Sequence, residues 1–271
     1  MNIDNLQFIS KERIFMSEPV LISIKIPDNL QIINGKNIEK KNINEFIIPS
    51  SINKLGSYCF NGCSSLTSIN IPSSIKEIGD YCFLGCSSLK SINIPTTINE
   101  LGNGCFKECS TLKSINIPSS ISKIGNGCFG HCSSLTSINI LLSINELGNY
   151  CFESCKSLKS INIPSSITKL GDSCFCKCSS LQSINIPSSV SEIGNWCFEG
   201  CTSLTSMNIP SSVSKLGYDC FKECYSLTSI SIPSSITSFG WGCFYKCGCE
   251  DELKKNETIP RNCFKEWWLM K

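Results

Sequence analysis

The dipeptide Cys-Phe recurs at Cys59, Cys82, Cys105, Cys128, Cys151, Cys174, Cys197, Cys220 and Cys243, always 23 residues apart, and a second cysteine follows four residues later each time, from Cys63 to Cys247. A short, strict period marks a chain that folds as a stack of equivalent units, not as a globule around one irregular core. After each cysteine pair comes a segment of the form L-x-x-I-x-I-P, as in Leu66, Ile69, Ile71 and Pro72. Two further copies stand upstream without cysteines, at Leu21, Ile24, Ile26, Pro27 and at Ile43, Phe46, Ile48, Pro49, so the array starts near residue 20.

Within one unit, Ile69 and Ile71 alternate with Ser68 and Asn70, the period of a short strand with one buried face. Pro72 cannot donate to a ladder and ends the strand. Ile75 and Ile78 are three apart, which reads as a tight turn, and Gly79 reads as a residue that permits an unusual backbone angle. Asp80 then reads as a helix N-cap, with Asn103, Asn126, Asn149, Asp172 and Asn195 in the same slot. Cys82, Phe83, Cys86 and Leu89 fall at helical intervals, which predicts a short helix or turn on the convex side.

One unit cannot bury its own apolar face, but stacked units can, each strand lying about 4.8 Å from the next. The expected fold is a solenoid of about ten coils by that spacing, with short parallel β-strands on the concave face. The expected organisation is an N-terminal cap over 1–19, the solenoid over 20–247 and a C-terminal cap over 248–271.

The composite pattern L-x-x-I-x-I-P-x-x-I-x-x-I-G-x-x-C-F-x-x-C resembles the BspA-like leucine-rich repeat family over roughly residues 20–264. Where the family's usual unit has alanine before the phenylalanine, this chain has cysteine at all nine positions. The resemblance implies a leucine-rich-repeat solenoid used for binding, brings no catalytic residues with it, and includes surface proteins thought to attach to host or matrix proteins.

The chain holds 21 cysteines. A reduced cysteine behaves as a small hydrophobe, so the leading reading of the paired ladders is core packing. Disulfides between coils are the second reading. Equivalent backbones lie within bridging range, but side chains pointing the same way reach the required dihedral only with strain. Metal binding is the third, although C-x-x-x-C is not the paired C-x-x-C of a zinc site. Cys176 and Cys249, in the tighter clusters Cys174–Cys178 and Cys247–Cys249, replace surface-type residues and are the expected reactive thiols, with Cys263 in the tail a further free cysteine.

The concave face repeats almost without change, as Ser91/Asn93, Ser114/Asn116, Ser137/Asn139 and Ser160/Asn162. Two readings follow: asparagines that hydrogen-bond one another along the stack, or a flat polar array for a repetitive partner. Lys90, Lys113 and Lys159 add a mildly basic stripe beside it. Leu141 and Leu142 replace the usual Pro-Ser and predict a small apolar patch. From Glu100 onward, Lys123, Glu146, Lys169, Glu192 and Lys215 alternate in sign coil by coil, which predicts a charge ladder with each lysine between two carboxylates.

With 24 basic and 22 acidic residues the net charge is only +2, and there is one histidine, His131. This balance gives no reason to expect nucleic acid, and acid–base catalysis is disfavoured. No catalytic residue, cofactor or metal is expected. The opening MNIDNLQFISKERIFMSEPV has no basic leader, and no segment approaches the roughly 18 apolar residues of a membrane span. The expectation is a cytoplasmic, non-enzymatic scaffold that binds a protein partner. The alternative is an adhesin-like protein that reaches the cell surface by an unrecognised route and binds host or matrix protein or glycan. A thiol or metal protein built on the cysteine clusters is the third reading.

Overall fold

The computed structural model describes residues 52–266 continuously, with the short stretches 20–21, 32–33, 36–37, 45–48 and 50. The chain winds as a parallel β-solenoid with very little helix. Its first ladder is built from Glu45–Ile47, Ser68–Asn70 and Ser91–Asn93, then Ser160–Asn162 with Ser183–Asn185, then Ser206–Asn208 with Ser229–Ser231. Each residue faces its equivalent 23 positions on, as Ile69 faces Ile92. The central isoleucines at 69, 92, 161 and 184 are buried and their Ser and Asn neighbours exposed, as alternation requires. Residues 114–116 and 137–139 form no strand, yet Ile115 and Ile138 stay buried in the same line.

A second parallel ladder runs through the segment read as a turn. Glu77–Ile78 pairs with Lys54–Leu55, Lys123–Ile124 with both Glu100–Leu101 and Glu146–Leu147, and Lys169–Leu170, Glu192–Ile193, Lys215–Leu216 and Ser238–Phe239 follow in register. Two-residue strands carry no readable period, so the sequence hid them. Val20–Leu21 joins this second ladder beside Lys54–Leu55. Ile32–Ile33 pairs antiparallel with Lys36–Asn37.

The Cys-Phe segment is not helical, because its amide hydrogens point alternately within the coil and out of it. Tyr58, Phe60 and Gly62 donate to the carbonyls of Asp80, Cys82 and Leu84 in the next coil, while Cys59, Asn61 and Cys63 donate to carbonyls three residues back. A helix would need every amide for its own i−4 carbonyl. Two residues per coil turn left-handed to allow this, such as Tyr81 (φ 55°) with Gly85 (φ 70°), and Tyr150 (φ 59°) with Ser154 (φ 57°). For a non-glycine residue that conformation costs roughly 1–2 kcal/mol, and the inter-coil bonds offset it.

Asp80 is accordingly no N-cap. Its Oδ1 accepts the backbone N–H of Asn103 at 2.7 Å in the next coil, Asn103 Oδ1 accepts Asn126 N–H, and the chain of bonds continues through Asn149, Asp172 and Asn195 to the N–H of Tyr218. Gly79 likewise has an ordinary φ. Its role is close approach, since a Cβ there would lie 2.5 Å from the backbone nitrogen of Ser57.

Inside the stack the phenylalanine rings from Phe60 to Phe244 lie nearly parallel, with successive centroids 5.2–5.9 Å apart. Each ring contributes roughly 1.5–3 kcal/mol through burial. The tail turns through a short helix, α1 (Glu250–Leu253), and a 3-10 turn at Arg261–Phe264. That turn adds a shortened extra coil: Gly242 N–H donates to Asn262, Phe244 N–H donates to Cys263, and the Phe264 ring sits 6.3 Å from that of Phe244, tilted by 32°. The expected cap over 1–19 lies outside the described residues, as do residues 267–271.

Candidate functional site

The strand face presents the candidate residues in rows. Ser91, Asn93, Ser114, Asn116, Ser137, Asn139, Ser160 and Asn162 are all exposed, as are Lys90, Lys113 and Lys159 beside them. The buried isoleucine between each Ser and Asn forces both side chains outward. The bonded asparagine stack occurs elsewhere, in the Asn103–Asn195 slot. The face asparagines make no side-chain hydrogen bond within the described residues, so their amides are left to solvent or to a partner. Between paired coils the face dips only slightly, leaving shallow depressions of about 350 Å³ over Ser160–Asn162 with Ser183–Asn185 and about 360 Å³ over Ser114–Asn116 with Ser137–Asn139. Such a surface suits extended contact.

The serines that fill the sequence are structural at other slots. Ser120 Oγ donates to the Ile98 carbonyl at 2.6 Å, Ser143 to Ile121 at 2.8 Å and Ser189 to Ile167 at 2.7 Å, each one coil back. Leu141 and Leu142 come out differently from each other. Leu141 is half-buried and its carbonyl accepts Ile144 N–H, as Pro118 accepts that of Ile121, so the leucine preserves the proline's turn. Leu142 alone projects, at 71% exposure.

The charge ladder is broken into groups. Lys54 pairs with Glu77 and Lys123 with Glu146, while Glu192 sits between Lys169 at 3.1 Å and Lys215 at 2.8 Å. The expected arrangement is thus inverted in its one three-membered case, a carboxylate between two lysines. Those two hydrogen bonds, Lys215 first, hold the Glu192 carboxyl below its ordinary range. The backbone ladder itself is interrupted between Leu147 and Lys169, where an alternating pair was expected.

All 21 cysteines are free and buried. From Cys86 to Cys224 the second cysteine of each pair does more than fill space. Cys109 Sγ donates to Phe83 O at 3.3 Å, Cys155 to Phe129 O at 3.2 Å, and Cys201 to Phe175 O at 3.2 Å. Burial pushes Cys132 and Cys174 up to about 12, which suppresses the thiolate. Cys176 is not the open thiol that its position implied. It is only 4% exposed, lies 3.7 Å from Glu199 Oε2, and is pushed up to about 12 by burial and then by that carboxylate. Cys263 is also buried and raised to about 12 by desolvation. Cys249 is buried too, but it faces Cys247 Sγ at 3.6 Å. Among the described residues no group of three or more His, Cys, Asp or Glu is arranged to hold a metal ion.

Sequence reasoning missed the aromatic side chains on the slot before Cys-Phe, at Tyr58, Tyr81, Tyr150 and Trp196. Tyr58 stacks on Tyr81 at 5.0 Å, and Tyr58, Tyr150 and Trp196 are exposed there. The slot also holds Gly104 and Gly127, so no single residue type marks it.

Two parallel ladders, a phenylalanine stack and left-handed turns at fixed positions define a leucine-rich-repeat solenoid, a scaffold made of repeats. The BspA type leucine-rich repeat region, in six copies, matches residues 7–136 and 122–250, and the chain belongs to that family. A leucine-rich repeat protein from Eubacterium ventriosum is 18% identical with a TM-score of 0.55, over 78% of this chain and 84% of that one. The leucine-rich repeat protein of T. pallidum is 24% identical with a TM-score of 0.50, over 78% and 82%. At these identities the likeness concerns the fold alone. No curated protein matches the chain. Among the described residues no helix is long and apolar enough to cross a membrane.

Proposed function

We propose that the protein is a non-catalytic interaction scaffold that binds a protein partner across its strand face. The observation that carries this reading is the row of Asn93, Asn116, Asn139 and Asn162, exposed and free of side-chain hydrogen bonds within the described residues. Other repeated polar slots are spent on neighbouring coils, as in the serines Ser120, Ser143 and Ser189 and the line from Asp80 to Asn195. An amide array left open, flanked by Lys90, Lys113 and Lys159, matches a polar, hydrogen-bonding partner, and scaffolds of this kind bind by extended surfaces.

A second reading is favoured by the uniformity of the face. Coils that repeat the same Ser and Asn present equal binding groups at a constant step, which suits a glycan or another repeating polymer on a cell surface better than an irregular protein. One experiment separates the two. Wild-type protein and the Asn116→Asp, Asn139→Asp, Asn162→Asp variant are immobilised and probed in parallel with a cell-surface protein fraction, a cytosolic fraction and a glycan array. The scaffold reading expects protein ligands that the variant loses while its unfolding midpoint is unchanged. Binding confined to the glycan array selects the second reading, and ligands held equally by both proteins remove the strand face from either.

A further inference from the structure

At the last coil the cysteine pattern fails in one place. Cys224 Sγ donates to Phe198 O at 3.1 Å, as its equivalents do in earlier coils, but Cys247 Sγ turns instead to Cys249 Sγ at 3.6 Å. The chain leaves the regular path here through Gly248, whose N–H donates to the Cys224 carbonyl. A Cβ on Gly248 would lie 2.3 Å from Tyr225 O and 2.9 Å from Leu227 O, so only glycine lets the two cysteines be pressed together against the preceding coil. Both residues are also less completely buried than the ladder cysteines beside them: each is 5% exposed, where Cys220 and Cys224 are 0%.

We propose that Cys247 and Cys249 form a redox-modifiable dithiol, which closes to a disulfide by exchange with a low-molecular-weight disulfide such as that of glutathione. The sulfurs need to approach from 3.6 Å to about 2.05 Å, with a single glycine between the two residues. The hydrogen bond shared by the two sulfurs draws the Cys249 thiol below its ordinary value and raises Cys247. Cys249 is therefore the attacking sulfur.

The exchange balances in two steps. The Cys249 thiolate bonds to one sulfur of the small disulfide, whose S–S bond breaks and releases one thiolate. Cys247 then gives its proton to that leaving thiolate or to water and bonds to Cys249 Sγ, expelling the second small thiolate. The protein pair loses two protons and two electrons, and the small disulfide becomes two thiols. The other ladder cysteines take no part, because burial keeps their protons in place and their sulfurs inside the stack.

The test uses native full-length protein in glutathione buffers of rising oxidised fraction, with free thiols then alkylated in acid. Trypsin, cutting after Lys246 and Lys254, releases residues 247–254, which contain these two cysteines and no others. The expected result is a peptide two hydrogens lighter and unalkylated, with disulfide occupancy at least about tenfold above that of peptides from the ladder. Cys247→Ser is expected to trap one glutathione on Cys249, and Cys249→Ser to trap none, while unreactive ladder thiols report that both variants remain folded. The proposal is overturned if 247–254 stays fully alkylated in wild-type protein under buffers that oxidise the urea-unfolded chain. It is equally overturned if ladder peptides oxidise first.

Discussion

Cys132 Sγ lies 3.1 Å from the carbonyl oxygen of Phe106, and that same oxygen accepts the backbone N–H of Cys109 at 3.1 Å. One carbonyl thus uses both lone pairs, one within its coil and one toward the next. Repeated up the stack, this makes the second cysteine a donor as well as a filler. It gives a reason for a polarizable S–H here instead of a plain aliphatic group.

Replacing Cys132 separates the two roles. Cys132→Ala removes the donor and leaves a void, with an expected loss of about 1–2 kcal/mol. Cys132→Ser keeps a donor at nearly the same size and is expected to lose less than the alanine variant. Urea unfolding of both proteins under reducing conditions gives the comparison. An alanine variant as stable as wild type would remove the donor role.

Alkaline pH acts on many of the ladder thiols at once. Cys132 and Cys174 are pushed up to about 12 by burial, and Cys109, Cys128, Cys151 and Cys155 are raised by the same cause. In the unfolded chain a thiol ionises at about 8.5. Above that pH the unfolded state sheds protons that the native state retains, so stability is full below it and falls as pH rises toward the native values. One pH unit above, each such thiol costs about 1.4 kcal/mol. About six of them together cost about 8 kcal/mol, a loss of the same order as the 5–15 kcal/mol of an ordinary domain. Thermal unfolding in excess reductant is expected to show a steep drop in Tm between about pH 8 and pH 10. A flat Tm over that range contradicts the burial of the thiols.

The asparagine line that bonds the coils is tested at Asn126, whose Oδ1 accepts the Asn149 N–H at 2.8 Å. Asn126→Ala leaves that amide without its partner and is expected to cost about 1 kcal/mol. Asn126→Asp is expected to cost less, because Asp80 and Asp172 accept the equivalent bond in the wild-type chain. If the two variants lose stability equally, the side-chain oxygen is not what holds the neighbouring coil.

Much of this architecture was legible because the period itself carries it. Ile69 alternating with polar neighbours gave the first ladder, and Phe83 with Cys82 and Cys86 gave the shared interior. The path of the backbone between them was not legible. Cys82, Phe83, Cys86 and Leu89 have helical spacing, yet the amides of this segment alternate, Phe83 N–H serving Cys105 of the next coil while Cys86 N–H stays within its own, and sequence spacing is blind to bonds made 22 residues away. Asp80 has cap chemistry, and it does accept a backbone N–H, but from the unit above. The face candidates from Ser91 to Asn162 were visible as a row. Their freedom from one another, in contrast to the bonded Asn103–Asn195 line, depends on which slot the turn brings close, and composition does not record that.

Glycine at two neighbouring slots makes the sharpest contrast of cause. A Cβ on Gly148 would lie 2.4 Å from Asn126 N and 2.5 Å from Gly125 C, both backbone atoms of the preceding coil. Gly127 has a left-handed φ of 61°, but a methyl group there would meet nothing within 4 Å, and Tyr150 holds the same conformation one coil on. Gly127→Ala therefore meets only the left-handed penalty, roughly 1–2 kcal/mol. Gly148→Ala must push two coils apart, breaking the ladders on both sides, and is expected to lose more than about 3 kcal/mol or to fail to fold. Urea midpoints measured side by side give the ranking. Equal losses would mean that conformational freedom, not the contact between coils, fixes glycine at position 148.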